Sequence, residues 1–254
     1  HLTYLIKDMT EYLDFNNFDT FRDILTYPKF EEEIYKTRLR ELNDLGVWFI
    51  TPGGATRVRN TNLLGKGSVG LVIKAKRRRR ILALKIRRVD ANRNNMYEEV
   101  FLHSAANSIG IGPIIIDYSE NFILMEFING FKIIDLCKKN IKPSQLRKLM
   151  VTLLEQCFRM DQIGLDHGQL SNLNNHVIVS QNVPVIVDFE TSSVKRKSNN
   201  VTSAVQSLLM SSQFSNKLTQ LNDAYDTKVI IRLLKEYKEF KSRDRFEKIT
   251  EIFG

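Results

Sequence analysis

Gly65, Gly67 and Gly70 are spaced as G-x-G-x-x-G, run on into Leu71-Val72, and are followed by a lysine in Ala83-Leu84-Lys85-Ile86. These residue types suit phosphate. Glycines let backbone amides approach an anion closely, and a lysine supplies a point charge. A dinucleotide-binding turn would open a helix, whereas β-favouring Leu71-Val72-Ile73 and the apolar Ile81–Ile86 follow here. The pattern reads as strand, glycine turn, strand, turn, strand, with Lys85 on the third strand. A plain hairpin with a glycine-rich corner fits the same stretch.

Further residues that could do chemistry lie downstream. Glu98 and Glu99 fall in a helical pattern over 92–108, where Glu98, Phe101, Leu102 and Ala105 share one face. On that spacing Glu98 sits at the edge of the packed face. His167-Gly168-Gln169-Leu170 precedes Asn174, and Asp188-Phe189-Glu190 ends a β-favouring run from Pro184. Asp166 lies beside the histidine. As a surface glutamate Glu98 would be ordinary, and most of the apolar stripes are core.

The elements that must position these residues follow from periodicity. Residues before about 60 read as a mostly helical segment: a helix from Phe30 to Leu45 ended by Gly46, a strand at Val47–Ile50 and a turn at Thr51-Pro52-Gly53-Gly54. That order fits a winged-helix reader, or a brace packed on the next segment, which is the favoured reading. After the 92–108 helix come strands at 114–118 and 122–125, and the chain leaves the sheet through Glu126-Phe127-Ile128-Asn129-Gly130. Pro143-Ser144 opens the longest helix, striped by Leu146, Leu149, Met150, Leu153, Leu154 and Phe158. A strand at 176–179 and helices at 201–210, 226–240 and after a Ser242 cap complete the chain.

Composition narrows the classes. The 254 residues, 43% hydrophobic and 26% charged, have ordinary globular make-up. Cys137 and Cys157 lack C-x-x-C spacing and read as reduced core residues. No apolar run approaches a membrane span, and His1-Leu2-Thr3 does not begin a secretory leader, so no membrane partner and a cytoplasmic location are expected. Part of the net charge of +9 is concentrated in Lys74, Lys76, Arg77, Arg78, Arg79 and Arg80. Such a run suits RNA, a ribonucleoprotein, an acidic protein or a nucleotide's phosphates, or is a solvated hairpin tip. No aromatic residue interleaves it, as a stacking platform requires.

Taken in order, the glycine turn, strand lysine, helix carboxylate, strand exit, H-x-x-L with its later Asn174, and D-F-x resemble the protein-kinase-like superfamily over about residues 61–210. The chain is most similar to RIO-type kinases and to small archaeal atypical Ser/Thr kinases such as the kinase of the KEOPS assembly. The resemblance implies a two-lobed α+β fold. An antiparallel sheet with one main helix would form the first lobe over 61–128 and a small helical lobe the second over 129–254, after a helical extension at 1–60. It implies ATP and Mg2+ as cofactors and a protein substrate.

Residue by residue, the resemblance has Gly65, Lys66, Gly67 and Gly70 covering the phosphates and Lys85 holding them while paired with Glu98. Val72, Ala83 and Met125 would line the base, and the backbone of Glu126 and Ile128 would read its edge. Asn174 and Asp188 would ligate the metal. Two departures stand out. Gln169 occupies the place of the family's catalytic aspartate, and Glu190 that of the D-F-G glycine. The segment 191–198 is too short for a long activation loop and no A-P-E follows it. The implied function is an atypical ATP-dependent Ser/Thr protein kinase, slowed by Gln169. A pseudokinase or a RIO-like ATPase acting as a nucleotide-binding module on RNA or a protein complex is the alternative. A small-molecule kinase fits least, because the C-terminal region lacks acidic residues for a cationic substrate.

Overall fold

The computed structural model describes residues 15–210, 216 and 226–253. The fold is α+β, with antiparallel sheets and helices in two compact units. The first gathers the residues through Phe101 together with Ile114–Phe127; the second takes Leu102–Pro113 and the residues from Ile128. The first fourteen residues of the expected helical extension lie outside the described residues.

Among the described residues, unit one opens with the helices α1 (Phe15–Thr20), α2 (Arg22–Leu25) and α3 (Glu32–Asp44). Strands β1 (Phe49–Thr51), β4 (Gly65–Lys66), β5 (Gly70–Arg77), β6 (Arg80–Arg87), β7 (Ile115–Tyr118) and β8 (Phe122–Glu126) form its main sheet in the order β1-β5-β6-β8-β7, with β4 also paired to β5. Strands β2 (Thr56–Val58) and β3 (Thr61–Leu63) form a separate hairpin that the sequence pattern does not signal. Side chains alternate across a strand. Leu71, Ile73 and Ala75 of β5 and Leu82, Leu84 and Ile86 of β6 therefore share one face, buried with Ile24, Leu25, Tyr35, Leu42 and Ile50 in a single core. The N-terminal helices and β1 thus complete the core of this sheet.

Polar contacts lock α3 in place. Glu41 accepts from Ser119 Oγ at 2.5 Å, Asn121 N at 3.0 Å and Asn121 Nδ2 at 2.6 Å, which ties the helix to the β7–β8 turn. Arg38, only 1% exposed, donates to the carbonyls of Leu25 and Arg87. Burial lowers its pKa to about 10, so it remains charged at neutral pH.

Helix α4 (Tyr97–Ser108) starts later than the 92–108 pattern suggests, because Asn95 Oδ1 accepts the Tyr97 N–H at 3.1 Å and so serves as a cap. Unit two is built on α5 (Pro143–Gln162), opened by a proline and buried along its apolar stripe. Strands β9 (Phe131–Lys132), β10 (Val177–Ser180) and β11 (Val183–Ile186) form a small sheet ordered β11-β10-β9, and α6 (Leu173–His176) leads into β10. Helices α7 (Asn200–Met210), α8 (Thr227–Glu239) and α9 (Arg243–Thr250) follow. Ser242 caps α9 through Arg245 N at 3.3 Å. Among the described residues no helix is long and apolar enough to cross a membrane.

Candidate functional site

In unit one, register gathers the candidate nucleotide residues. Val72 lies opposite Lys85, and Ala83 opposite Met125, so all four project from the sheet face away from the core. Gly65 pairs with Val72 and Lys66 with Leu71, and Gly67 N donates to Gly70 O at 2.8 Å to close the glycine turn. Gly70 has no room for a side chain: a methyl there would come within 3.0 Å of Ile86 O and Lys85 Cε. The glycine is what lets the Lys85 side chain pass. Arg88 anchors the turn by donating to Gly67 O at 3.1 Å while a bidentate contact to Asp90 holds its guanidinium. Glu126 closes β8, its N–H bonded to Ile114 O at 2.9 Å. Ile128 is half-buried in unit two.

Lys85 Nζ meets Glu99 Oε1 at 2.6 Å, with the two residues only 3% and 2% exposed. This corrects the sequence reading, which assigned the partner to Glu98. Glu98 is exposed. Met96, just before α4, and Glu99, Val100 and His103 on its inward face are all buried, whereas Phe101 is 65% exposed. Counting from Phe101 therefore placed the helix face one residue out. Val69, Met96, Val100 and Ile123 form the apolar cluster that seats the inward face. A buried ion pair carries a heavy desolvation cost, so its persistence depends on close geometry. Arg93 Nη1 lies 3.8 Å from the other Glu99 oxygen.

In unit two, the loop after α5 is fixed by a relay of hydrogen bonds. Buried Asp161 accepts from Asn200 N at 3.0 Å, Asn200 Nδ2 at 2.9 Å and Tyr237 Oη at 2.9 Å. Burial raises its pKa, and these donors oppose the rise. Asn200 in turn donates to Leu165 O at 2.7 Å and accepts from His167 N at 2.9 Å. Asp161 and Asn200 thus position His167-Gly168-Gln169. Sequence reasoning missed both, because neither stands in a motif and their partnership spans 39 residues.

His167 is fully buried, and its Nε2 sits 3.1 Å from Val187 O, so that nitrogen carries the proton. Burial, with neighbouring His176 adding to it, holds its pKa down to about 4, and the ring is neutral at pH 7. Phe189 is buried against His167, with centroids 5.2 Å apart, and stacks on His103 at 4.5 Å. Asp188 takes φ +69, a left-handed conformation rare outside glycine and Asn/Asp. His176 Nδ1 lies 3.9 Å from its carboxylate. Such strain is characteristic of residues whose direction matters. Glu190, in the glycine's place, is 5% exposed.

Two of the expected site residues carry a buried oxygen that the fold leaves unsatisfied. Gln169 Oε1 and Asn174 Oδ1 are buried acceptors with no hydrogen-bond partner among the described residues. An acceptor buried unsatisfied costs about 1–3 kcal/mol, so a ligand or solvent must meet it. Asn174 and Asp188 supply oxygen donors, which Mg2+ prefers. That ion is held by one or two protein oxygens plus substrate phosphates. Among the described residues no three His, Cys, Asp or Glu side chains gather into a cage. Asp166 is committed elsewhere: it binds Arg196 and accepts from Asn199 N at 3.0 Å, which pins residues 191–199 to the loop.

A family model for the RIO domain matches residues 74–207, more than half of the chain. The chain belongs to the RIO domain family. RIO domains form an atypical kinase and ATPase family. The matched span contains Lys85, Glu99, Gln169, Asn174 and Asp188, while the glycine turn at 65–70 precedes it. Among curated proteins the chain has no match.

Proposed function

We propose that this RIO domain is an ATP- and Mg2+-dependent phosphotransferase, an atypical Ser/Thr protein kinase made slow by Gln169. The observation that carries the reading is the buried Lys85–Glu99 pair at 2.6 Å. A lysine brought out of water and held by one carboxylate, on the sheet face shared with Val72, Ala83 and Met125, is placed to meet phosphates beside an apolar surface for a base. In this reading Gly65, Lys66, Gly67 and Gly70 cover the phosphates and Lys85 holds them. Asp188 and Asn174 hold Mg2+, which offsets phosphate charge when bound.

Gln169 orients the acceptor hydroxyl through Oε1. Its amide cannot take the proton. Asp166, engaged by Arg196 and Asn199, does not replace it as a base. The proton therefore leaves to solvent or to the transferred phosphate. General-base help is worth about 10²–10⁴ in rate, and phosphoryl transfer rests mainly on positioning and electrostatics, so turnover is slow rather than absent.

Transfer from labelled ATP to the protein itself or to a generic Ser/Thr acceptor tests this. Lys85→Ala is expected to abolish the signal and Gln169→Asp to raise it about 10²-fold. Equal transfer by Lys85→Ala would remove the proposal. Gln169 also favours a second reading, a nucleotide-binding module or ATPase on a larger complex. Tight ATP binding with no transfer, even in Gln169→Asp, would select it.

A further inference from the structure

Lys66 and Leu71 lie directly opposite each other in the β4–β5 pair, and the side chains of opposed residues leave a sheet on the same face. Leu71 is buried in the core shared with the N-terminal helices, whereas Val72 projects from the other face beside Lys85. The Lys66 side chain therefore leaves the glycine turn on the core side, away from the face proposed for the nucleotide. There it meets Tyr27, which lies between α2 and α3 and packs on the same core. Lys66 Nζ donates to Tyr27 Oη at 2.9 Å. The ammonium is 5.0 Å from the ring centre, so it sits at the hydroxyl end of the ring and the hydrogen bond holds it. That bond draws the phenol's pKa below its usual value, against a smaller opposing effect of burial.

Tyr27 reaches the turn by two further routes. Its carbonyl accepts from Val89 N at 2.9 Å, which fixes it just after β6. Its ring centre lies 5.3 Å from the Arg88 guanidinium carbon, within cation–π reach. Arg88 in turn donates to Gly67 O at 3.1 Å while Asp90 holds it. One side chain of the N-terminal segment thus touches both the cation that leaves the turn and the cation that enters it.

We propose that Tyr27 is a positioning residue for the glycine turn, through which the N-terminal segment holds residues 65–70 in the shape that covers phosphates. This rests on the ATP reading above. Lys66 takes part in covering through its backbone, and its side chain is the tether rather than a phosphate ligand. A turn with three glycines has many conformations open to it, and ordering it in advance removes that cost from binding. One intramolecular hydrogen bond shifts such an equilibrium about 2- to 10-fold.

The test is amide exchange at Gly67, whose N–H closes the turn on Gly70 O at 2.8 Å, measured on the full chain without nucleotide. Tyr27→Phe keeps the ring and removes the hydroxyl. It is expected to speed exchange at Gly67 about 2- to 10-fold while Asn121, held by Glu41, exchanges as in the wild type. Lys66→Met should do the same, and Lys66→Arg, which can still donate to Tyr27 Oη, should restore slow exchange. ATP binding by the same variants gives the second readout. Tyr27→Phe and Lys66→Met are each expected to weaken ATP binding about 2- to 10-fold. The double variant should lose no more than either alone, because both changes break one contact.

Wild-type exchange at Gly67 in Tyr27→Phe would overturn the proposal. So would faster exchange at Gly67 and Asn121 alike, which would make Tyr27 a general support of the fold. Additive losses of ATP affinity in the double variant would also overturn it, because Lys66 would then meet phosphate on its own account. If the wild type binds no ATP while exchange at Gly67 responds as expected, the nucleotide reading fails and the positioning of the turn by Tyr27 stands.

Discussion

Lys85 and Glu99 are buried together, and neither charge can be removed without stranding the other. Losing one partner of such a pair costs about 3–5 kcal/mol. Glu99→Gln should therefore lower unfolding stability by about 3 kcal/mol and weaken ATP binding. Glu98→Gln should stay within about 0.5 kcal/mol, as surface substitutions do; denaturant titration of both decides. His167 gives a second prediction at this scale. Its pKa is lowered to about 4 by burial, from 6.5 in the unfolded chain. The neutral ring therefore stabilises the fold fully above pH 6.5, and that contribution is lost as pH falls towards 4, up to about 3 kcal/mol. Stability measured against pH should show this loss in the wild type and a shallower one in His167→Gln, whose amide nitrogen takes the place of Nε2 opposite Val187 O. Identical profiles would mean that the ring titrates normally. The types of the chemical residues were legible in the sequence because motif spacing exposes them. Which of two adjacent glutamates faces inward was not, since that depends on where Asn95 starts α4.

Helices α3 and α7 show what the elements contribute. Glu41 on α3 gathers three donors from the β7–β8 turn. Glu41→Ala should cost about 2 kcal/mol and speed amide exchange at Asn121, whose N–H it accepts. Unchanged exchange there would mean that α3 does not hold the turn. Asn200, the first residue of α7, connects Asp161 to the backbone of Leu165 and His167. Helix existence was readable from apolar stripes such as that of α5 and from Ser242 as a cap. The hairpin of β2 and β3 and the short strand β9 were not, because they are two or three residues long and carry no periodic signal. The strand after Gly46 was readable, but not its place at the edge of the main sheet. Pairing partners are set by tertiary contacts that local pattern does not encode.

For the whole molecule, the order of parts carried more information than any one of them. A G-x-G-x-x-G turn or a D-F-x alone is weak, yet their succession along one chain points to the same family as the RIO domain match over residues 74–207. The two units hold different halves of the proposed chemistry: the phosphate lysine and glycines in one, and the metal oxygens and Gln169 in the other. ATP should stabilise the chain through Lys85, and Mg2+ should add to that gain through Asp188. The most direct measurement is denaturant unfolding with ATP at about 100 times its Kd, with and without Mg2+, for the wild type, Lys85→Ala and Asp188→Asn. Binding at that excess should add about 2.7 kcal/mol to the wild type, with Mg2+ required for the full effect. The gain should disappear in Lys85→Ala and lose its Mg2+ dependence in Asp188→Asn. Stabilisation by ATP that survives in both variants, with the same response to Mg2+, would contradict the account.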